Sequence, residues 1–416
     1  MTGFFSNKQV ESITRPNGKV YSCSSCGLHL HVNTPRMKPY GNFSKGIIIV
    51  GEAPGEIEDS KGKPWQGKTG RLLQHTLRDF GIDLFEDCLS IHACHCKPMD
   101  EKGNNRNPSN FEIESCRKTT LSYIKQYKPK IVILLGNAAI YSIIGHRWKK
   151  DLGNISKWRG WTIPDRDFNC WVCPTFHPSY IERSEDDVAK IVWKKDLELI
   201  LSLLNKPFPE YKEPIIDIIT DLSVLYDKKM GTNKIFAAPH IAIDYETTGI
   251  KPHSIGHRIV CVSIADNEDH AYVFMLPTTR MERKPFVDLL ANKDIFKMAH
   301  NMKFEETWSV VRLQQSVISW AWDSMQAAHI LDNRRYITGL KFQVYVNFGI
   351  VDYDSDISPY LKSKDEEANS LNRIHELINI PGGKEKLMHY CGLDSVFTYR
   401  LAMIQKPLII NNYERN

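Results

Sequence analysis

Apolar residues recur along this chain in two rhythms. Short unbroken runs, Ile47–Val50 and Lys130–Gly136 (K-I-V-I-L-L-G), have the length and flanking glycines of buried strands. Asn169–Phe176 reads as another strand, leading into His177-Pro178. Between the runs the spacing becomes helical. Leu73, Leu77 and Phe80 fall on one face before Gly81, which sits where a helix would stop. Pro108-Ser109 followed by Glu112 is a capping-box start for the next helix, and Asn137–Ile144 continues the strand before it as a helix. Later, His240–Gly249, Arg258–Ile264 and Ala271–Leu276 read as strands, Ile218–Tyr226 as a helical stretch, and Lys386–Gln405 as a long helix. Strands alternating with helices predict α/β sheets covered by helices. Leu204–Pro214 carries three prolines among polar neighbours and places a linker there, dividing the chain into domains 1–206 and 207–416.

The bulk numbers narrow the class only a little. The 416 residues suggest two to three domains, with 42% apolar and 25% charged residues, as in ordinary soluble domains. No apolar run has membrane-spanning length, and residues 1–20 lack a signal-peptide core. A net charge of +5 permits a nucleic-acid partner without demanding one. Ten cysteines in so long a chain do not form the pattern of a secreted disulfide scaffold, so a cytoplasmic location is expected.

The strand Ile47–Val50 ends at Gly51 in an acidic loop containing Glu52, Glu56, Glu58 and Asp59, punctuated by Pro54 and Gly55. Open α/β sheets place ligand sites outside the carboxyl ends of their strands. Trp65, on the following loop, is either an apolar plug or a platform for a flat base. Cys23-Ser-Ser-Cys26 becomes a metal-site candidate with Cys96 and Cys116 as partners, for zinc or an iron–sulfur cluster. Cys94 rivals Cys96, and His29 or His31 offers an alternative zinc ligand. Cys170 and Cys173, inside a strand, read as core residues.

These motifs in this order resemble the family-four, iron–sulfur uracil-DNA glycosylases over residues 20–205. The matching residues are Cys23/Cys26, Gly51-Glu52-Ala53-Pro54-Gly55 with Glu58-Asp59, Pro64-Trp65, Cys96-Lys97-Pro98, Asn105–Pro108, Cys116 and His177–Tyr180. The resemblance implies a structural 4Fe-4S cluster on Cys23, Cys26, Cys96 and Cys116, which favours Cys96 over Cys94. A glycosylase extrudes the target nucleotide and reads its edge. The resemblance gives His177 the role of donor to the departing base. Glu52, with Glu58 as second candidate, would position water and stabilise the cationic sugar. Ala53, Trp65, His92 and Ser179 become substrate-binding candidates, with Tyr180 and Arg183 toward the DNA backbone. Trp65 stands where the family has phenylalanine. His92 falls where the family has a base-reading asparagine. Imidazole carries its donor and acceptor on opposite sides of a ring, so uracil specificity is the feature this departure touches.

In the second half, Asp244 and Glu246 are two apart on a strand and share a face, where two carboxylates would repel unless a cation neutralises them. Oxygen ligands at that spacing suit Mg2+ or Mn2+. Asn301-x-x-Phe304-Glu305 and Tyr390-x-x-x-Asp394 follow, the latter pair on one helix face. The set resembles the tyrosine branch of the DEDD-type 3′–5′ exonucleases over residues 214–405, and Asp323-Ser-Met matches a supporting aspartate in family-A polymerase proofreading domains. The resemblance implies a ribonuclease H-like fold and catalysis with two divalent ions. Asp244, Glu246 and Asp394 would ligate them, Tyr390 would orient water, and Asn301 would meet substrate. Glu305 replaces the family's aspartate, a shift of about one bond that can cost roughly a hundredfold in rate.

Joined, the halves resemble the front of certain phage family-A polymerases. The expectation is a uracil-DNA glycosylase-like parallel-sheet sandwich followed by a ribonuclease H-like exonuclease, acting on single-stranded 3′ ends and a flipped base in DNA beside a separate polymerase. The alternative is that the glycosylase-like domain is inactive and serves as a DNA-binding or polymerase-tethering module.

Overall fold

A computed structural model describes residues 22–184, 186–226, 238–363 and 369–413. The chain forms two compact units, Met1–Pro209 with Val346–Gly349, and Glu210–Tyr345 with Ile350–Asn416. Both are α/β.

The first unit is built on five strands, β1 (Ile47–Gly51), β2 (Cys88–His92), β3 (Ile131–Leu135), β4 (Ile163–Asp165) and β5 (Cys170–Thr175), in the order β2-β1-β3-β5-β4. All pairs are parallel except β4 with β5. Every residue of β1, β2 and β3 is buried, as expected of strands covered on both faces. Ile47, Ile49, Ile131 and Ile133 pack with Leu73 and Leu77 of the helix Lys68–Asp79 and with Trp193 and Leu197 of the helix Asp187–Ser202. The predicted capping box opens the helix Asn110–Tyr127: the Ser109 hydroxyl accepts from the Glu112 N–H, and the Glu112 carboxylate accepts from the Ser109 N–H at 2.7 Å. Cys170 and Cys173 are fully buried in β5.

The second unit holds six strands, β6 (Ile215–Ile218), β7 (His240–Thr247), β8 (Ile259–Asn267), β9 (His270–Met275), β10 (Phe296–Ala299) and β11 (Trp320–Asp323), in the order β11-β10-β7-β8-β9-β6. The meander β7-β8-β9 is antiparallel, and β10, β11 and β6 join in parallel, a ribonuclease H-like arrangement. The helical stretch expected over Ile218–Tyr226 is only a 3-10 turn, Leu222–Tyr226. Its upstream residues pair with β9 as an edge strand, because the β-branched run after Pro214 extends the sheet more readily than it starts a helix. The helix Gly383–Tyr413 lies across β7, β8 and β9. At Gly392 a Cβ would sit 2.6 Å from the Ile216 side chain of β6 and 2.8 Å from that of Val273 in β9. One residue earlier, Cys391 reaches Asp244 of β7.

Candidate active sites

In the first unit the parallel strands end together, and their terminal residues make the site. Gly51 closes β1 beside His92, which closes β2. Gly136 follows β3 with φ +81°, and a Cβ there would lie 3.0 Å from that of His177, just beyond β5. A Cβ on Gly51 would come within 2.8 Å of His92 Nδ1 and 2.9 Å of the Trp65 ring. Glycine is therefore required where the backbone, the histidine and the indole meet. Trp65 is 4% exposed, with its ring centroid 5.9 Å from that of His92 and 5.8 Å from that of His177.

His177 caps the helix Pro178–Arg183, and its Nδ1 accepts the Ser179 N–H at 3.2 Å, with Ser179 Oγ at 2.8 Å. An imidazole whose Nδ1 accepts a backbone N–H carries its proton on Nε2 when neutral. Burial, with Arg183 nearby, pushes its pKa down to about 4, so the ring is a neutral Nε2–H donor at physiological pH. His92 is pushed further, to about 3, by burial and the neighbouring His95 and His177, and neither of its ring nitrogens has a partner. Burial raises the Glu52 carboxyl above its ordinary range, partly offset by Arg183.

Glu58, expected as a second catalytic carboxylate, has a different position. Its Oε1 accepts the N–H groups of Gln66 (3.0 Å) and Gly67 (3.2 Å), so it anchors the loop after Trp65. Asp59, unassigned in the sequence, is 1% exposed and accepts the N–H groups of Asn33 and Thr34, pinning the segment after the first cysteines. Ala53 packs beside the cysteine group.

Cys94, Cys96 and Cys116 are buried together with Leu28, and Cys26 packs against them. The Arg36 N–H donates to Cys96 Sγ at 3.2 Å and the His95 N–H to Cys116 Sγ at 3.4 Å. Burial pushes the Cys96 thiol up to about 11, with Cys116, Cys26 and Cys23 close enough to add to the shift. Backbone donors aimed at the sulfurs of Cys96 and Cys116, with Cys26 packed against them, fit an iron–sulfur cluster on Cys23, Cys26, Cys96 and Cys116. Cys94, the rival, has its thiol 3.5 Å from the Cys96 carbonyl oxygen.

In the second unit, β7 presents Asp244 and Glu246 opposite Ser263 and Cys261 of β8. Ligand atoms of Asp244, Glu246 and Cys391 lie within 4.8 Å of one another. Burial and the charge of Asp394 push Asp244 up to about 8, with Lys341 opposing. Glu246 and Glu305 are raised by burial and then by Asp244, and Glu305 Oε2 is buried without a partner. Crowded, buried carboxylates of this kind fit divalent cations. Asp394, expected as a third ligand, accepts from Lys341 Nζ (Oδ2 at 2.6 Å) and from the Tyr353 hydroxyl at 2.7 Å, and its charge acts on both Asp244 and Glu246. The Lys341 ammonium lies 4.2 Å from both the Tyr353 and Tyr390 ring centroids. Tyr390 is buried beside this pair. Asn301, with φ +73°, caps the helix Met302–Trp308. Asp323 accepts the N–H groups of Asn301 (3.1 Å), Met302 (3.0 Å) and Met325 (2.9 Å), which fixes the turn that delivers Glu305.

Lys341, Tyr353 and Cys391 were not singled out from the sequence. Lys341 lies 53 residues before its partner, and nothing local marks it. Cys391 occupies an unspecified position of the Tyr-x-x-x-Asp motif, which fixes only its first and last residues.

The uracil DNA glycosylase superfamily profile matches residues 38–198, and a 3′–5′ exonuclease profile of the family-A DNA polymerase type matches residues 229–408. The type-4 uracil-DNA glycosylase of Thermotoga maritima is 33% identical over 191 residues, covering 45% of this chain and 92% of that protein. The DNA polymerase of Bacillus phage SP01 is 25% identical over 415 residues; the alignment covers 92% of this chain and 42% of the polymerase. Among solved structures, Brucella melitensis NrnC aligns with a TM-score of 0.34 at 15% identity, covering 49% of this chain and 84% of that one. Among the described residues no helix is long and apolar enough to cross a membrane. By its first half the chain belongs to the type-4 uracil-DNA glycosylase family, and a 3′–5′ exonuclease domain follows in its second.

Proposed function

We infer that this chain is a DNA-processing enzyme that trims 3′ ends with its second unit and excises a base with its first, in the service of DNA synthesis of the family-A polymerase type. The observation that carries the nuclease reading is the convergence of the part-buried Asp244 with the buried Glu246 and Glu305, both of which burial and the Asp244 charge push upward. Divalent ions bound there would activate water and stabilise the leaving 3′ oxygen. The protein's own part is to fix geometry. Asp323 holds the turn before Glu305, Gly392 lets the last helix seat Tyr390 against the sheet, and the Tyr390 hydroxyl would orient the attacking water. Lys341 balances the carboxylate charge. Shortening of 3′-ended single-stranded DNA with magnesium, lost in Asp244→Ala, is the expected result. Full activity in that variant would overturn the assignment.

For the first unit, the neutral Nε2–H of His177 supports base excision, since it supplies a donor without a competing positive charge. Glu52 would stabilise the cationic sugar and position water, Trp65 and His92 would line the base pocket, and Ser179 would hold the His177 tautomer. Cys23, Cys26, Cys96 and Cys116 would hold a 4Fe-4S cluster that keeps the strand ends in place. An abasic-site assay on uracil-containing DNA, run in EDTA to silence the nuclease, is expected to show alkali-sensitive sites that His177→Ala loses.

A second reading has one specific support. Trp65 and His92 are both almost fully buried in the place a flipped base would need. In that reading the unit grips DNA or tethers a polymerase without cutting, and the same assay shows no abasic sites.

A further inference from the structure

We propose that Cys391 makes the nuclease centre a mixed oxygen–sulfur metal site, able to take a thiophilic divalent cation such as zinc through Asp244, Glu246 and the Cys391 thiolate. The inference rests on the nuclease reading of the second unit and goes beyond it.

The geometry is specific. Cys391 is fully buried, and its Sγ lies 3.7 Å from both the backbone oxygen and Oδ2 of Asp244. With Glu246 it completes the group of ligand atoms within 4.8 Å. Asp394 is engaged by Lys341 and Tyr353, while the Cys391 sulfur is the donor grouped with the Asp244 and Glu246 carboxylates. A second observation points to a cation at the same place. Glu305 is 3% exposed, its Oε2 has no partner, and Asp244 is the charge that acts on it most. A buried carboxylate oxygen left unsatisfied beside two others calls for a positive ligand.

Oxygen donors alone suit magnesium, whereas a thiolate shifts preference toward zinc and other softer ions. Ligation replaces the Cys391 S–H bond with a sulfur–metal bond, and the proton leaves to buffer. Cys261, opposite Glu246 on β8, is hydrogen-bonded to Cys391, and both are free thiols.

Cobalt(II) chloride, titrated into the full chain, reads the site directly. The expected result is a near-ultraviolet thiolate-to-cobalt charge-transfer band that disappears from the difference spectrum in Cys391→Ala and in Asp244→Ala. Calorimetry with zinc chloride in two buffers of different ionisation enthalpy should show proton release on binding. The zinc-to-magnesium affinity ratio should fall on the order of tenfold or more in Cys391→Ala. Cys391→Ser, closer in size, checks that the loss follows sulfur rather than folding, and metal-free melting curves check the fold of each variant. A cobalt band of equal strength in Cys391→Ala, or no band in the wild type, overturns the proposal. Magnesium-driven shortening of 3′-ended DNA by the wild type is scored separately, so absent nuclease activity and absent sulfur ligation give different results.

Discussion

Lys341 Nζ lies 2.6 Å from Oδ2 of Asp394, with the side chains 18% and 7% exposed. The ammonium opposes the upward shifts of Asp244 and Glu246. Removing it leaves Asp394 uncompensated, which typically costs on the order of 3 kcal/mol for a pair this buried. Lys341→Met should therefore lower the melting temperature of the metal-free protein. Magnesium should recover more stability in this variant than in the wild type, because the ion no longer competes with a resident cation. Melting curves with and without magnesium measure both effects. Equal gains from magnesium in the two proteins would show that Lys341 and the ion do not share the site.

Glu305 is expected to oppose stability and support activity. Its carboxyl is buried, its Oε2 unpartnered, and its ionised form repelled by Asp244. Glu305→Gln removes the charge at nearly constant volume. The variant should melt higher without metal and cut DNA more slowly, by roughly a hundredfold or more if the carboxylate positions the reacting groups. A variant that loses both stability and activity would mark Glu305 as a folding residue.

The two sites were legible in the sequence to different degrees. Motifs carried on one element transfer well: Gly51-Glu52 at a strand end, Asp244 and Glu246 on one strand face, and the Ser109–Glu112 capping box all reflect local rules. Glu58 shows the limit. Its carboxylate meets the amides of Gln66 and Gly67 only once the loop folds back, and no spacing rule distinguishes a loop anchor from a catalytic acid. Lys341 and Tyr353 reach Asp394 across 53 and 41 residues, beyond any periodicity. The edge strand Ile215–Ile218 went unread, and the helical stretch expected from Ile218 shrank to a 3-10 turn, because the strand's partner, β9, lies far along the chain.

The pH response of base excision should have one acid limb. Burial raises Glu52 above its ordinary 4.5, so the ionised, productive form is lost as pH falls through that raised value. His177 and His92, depressed from 6.5 to about 4 and about 3, stay neutral through the same range. No step is therefore expected near 6.5. Abasic-site formation followed from pH 4 to 8 in EDTA provides the check, and a limb centred on an ordinary histidine value would show that His177 is not held neutral.

The same depressed histidines, with His95 and His146, contribute to the acid response of the first unit's stability. In the unfolded chain His92 and His177 take up protons near 6.5, whereas in the fold they do so only near about 3 and about 4. Between those values the unfolded state binds more protons, so stability is full above 6.5 and falls progressively on acidification. The urea midpoint of the first unit should drop between pH 7 and 5, and His92→Asn should flatten that dependence.

His92→Asn is also the sharpest probe of which base is read. His92 closes β2 beside Gly51, with both ring nitrogens buried and unpartnered. Such a residue either meets a base edge or carries an uncompensated desolvation cost. Asparagine places a donor and an acceptor on one short amide, the pattern that pairs with one edge of uracil. A site able to pair both groups of its substrate can discriminate by several orders of magnitude. If the pocket retains excision chemistry, His92→Asn should raise the rate on uracil-containing DNA by at least roughly tenfold, with His177→Ala added to it returning the rate to background. Abasic-site counts from the wild type, the single variant and the double variant decide the matter. No gain in His92→Asn, with the fold intact by circular dichroism, would favour a unit that binds DNA without cutting it.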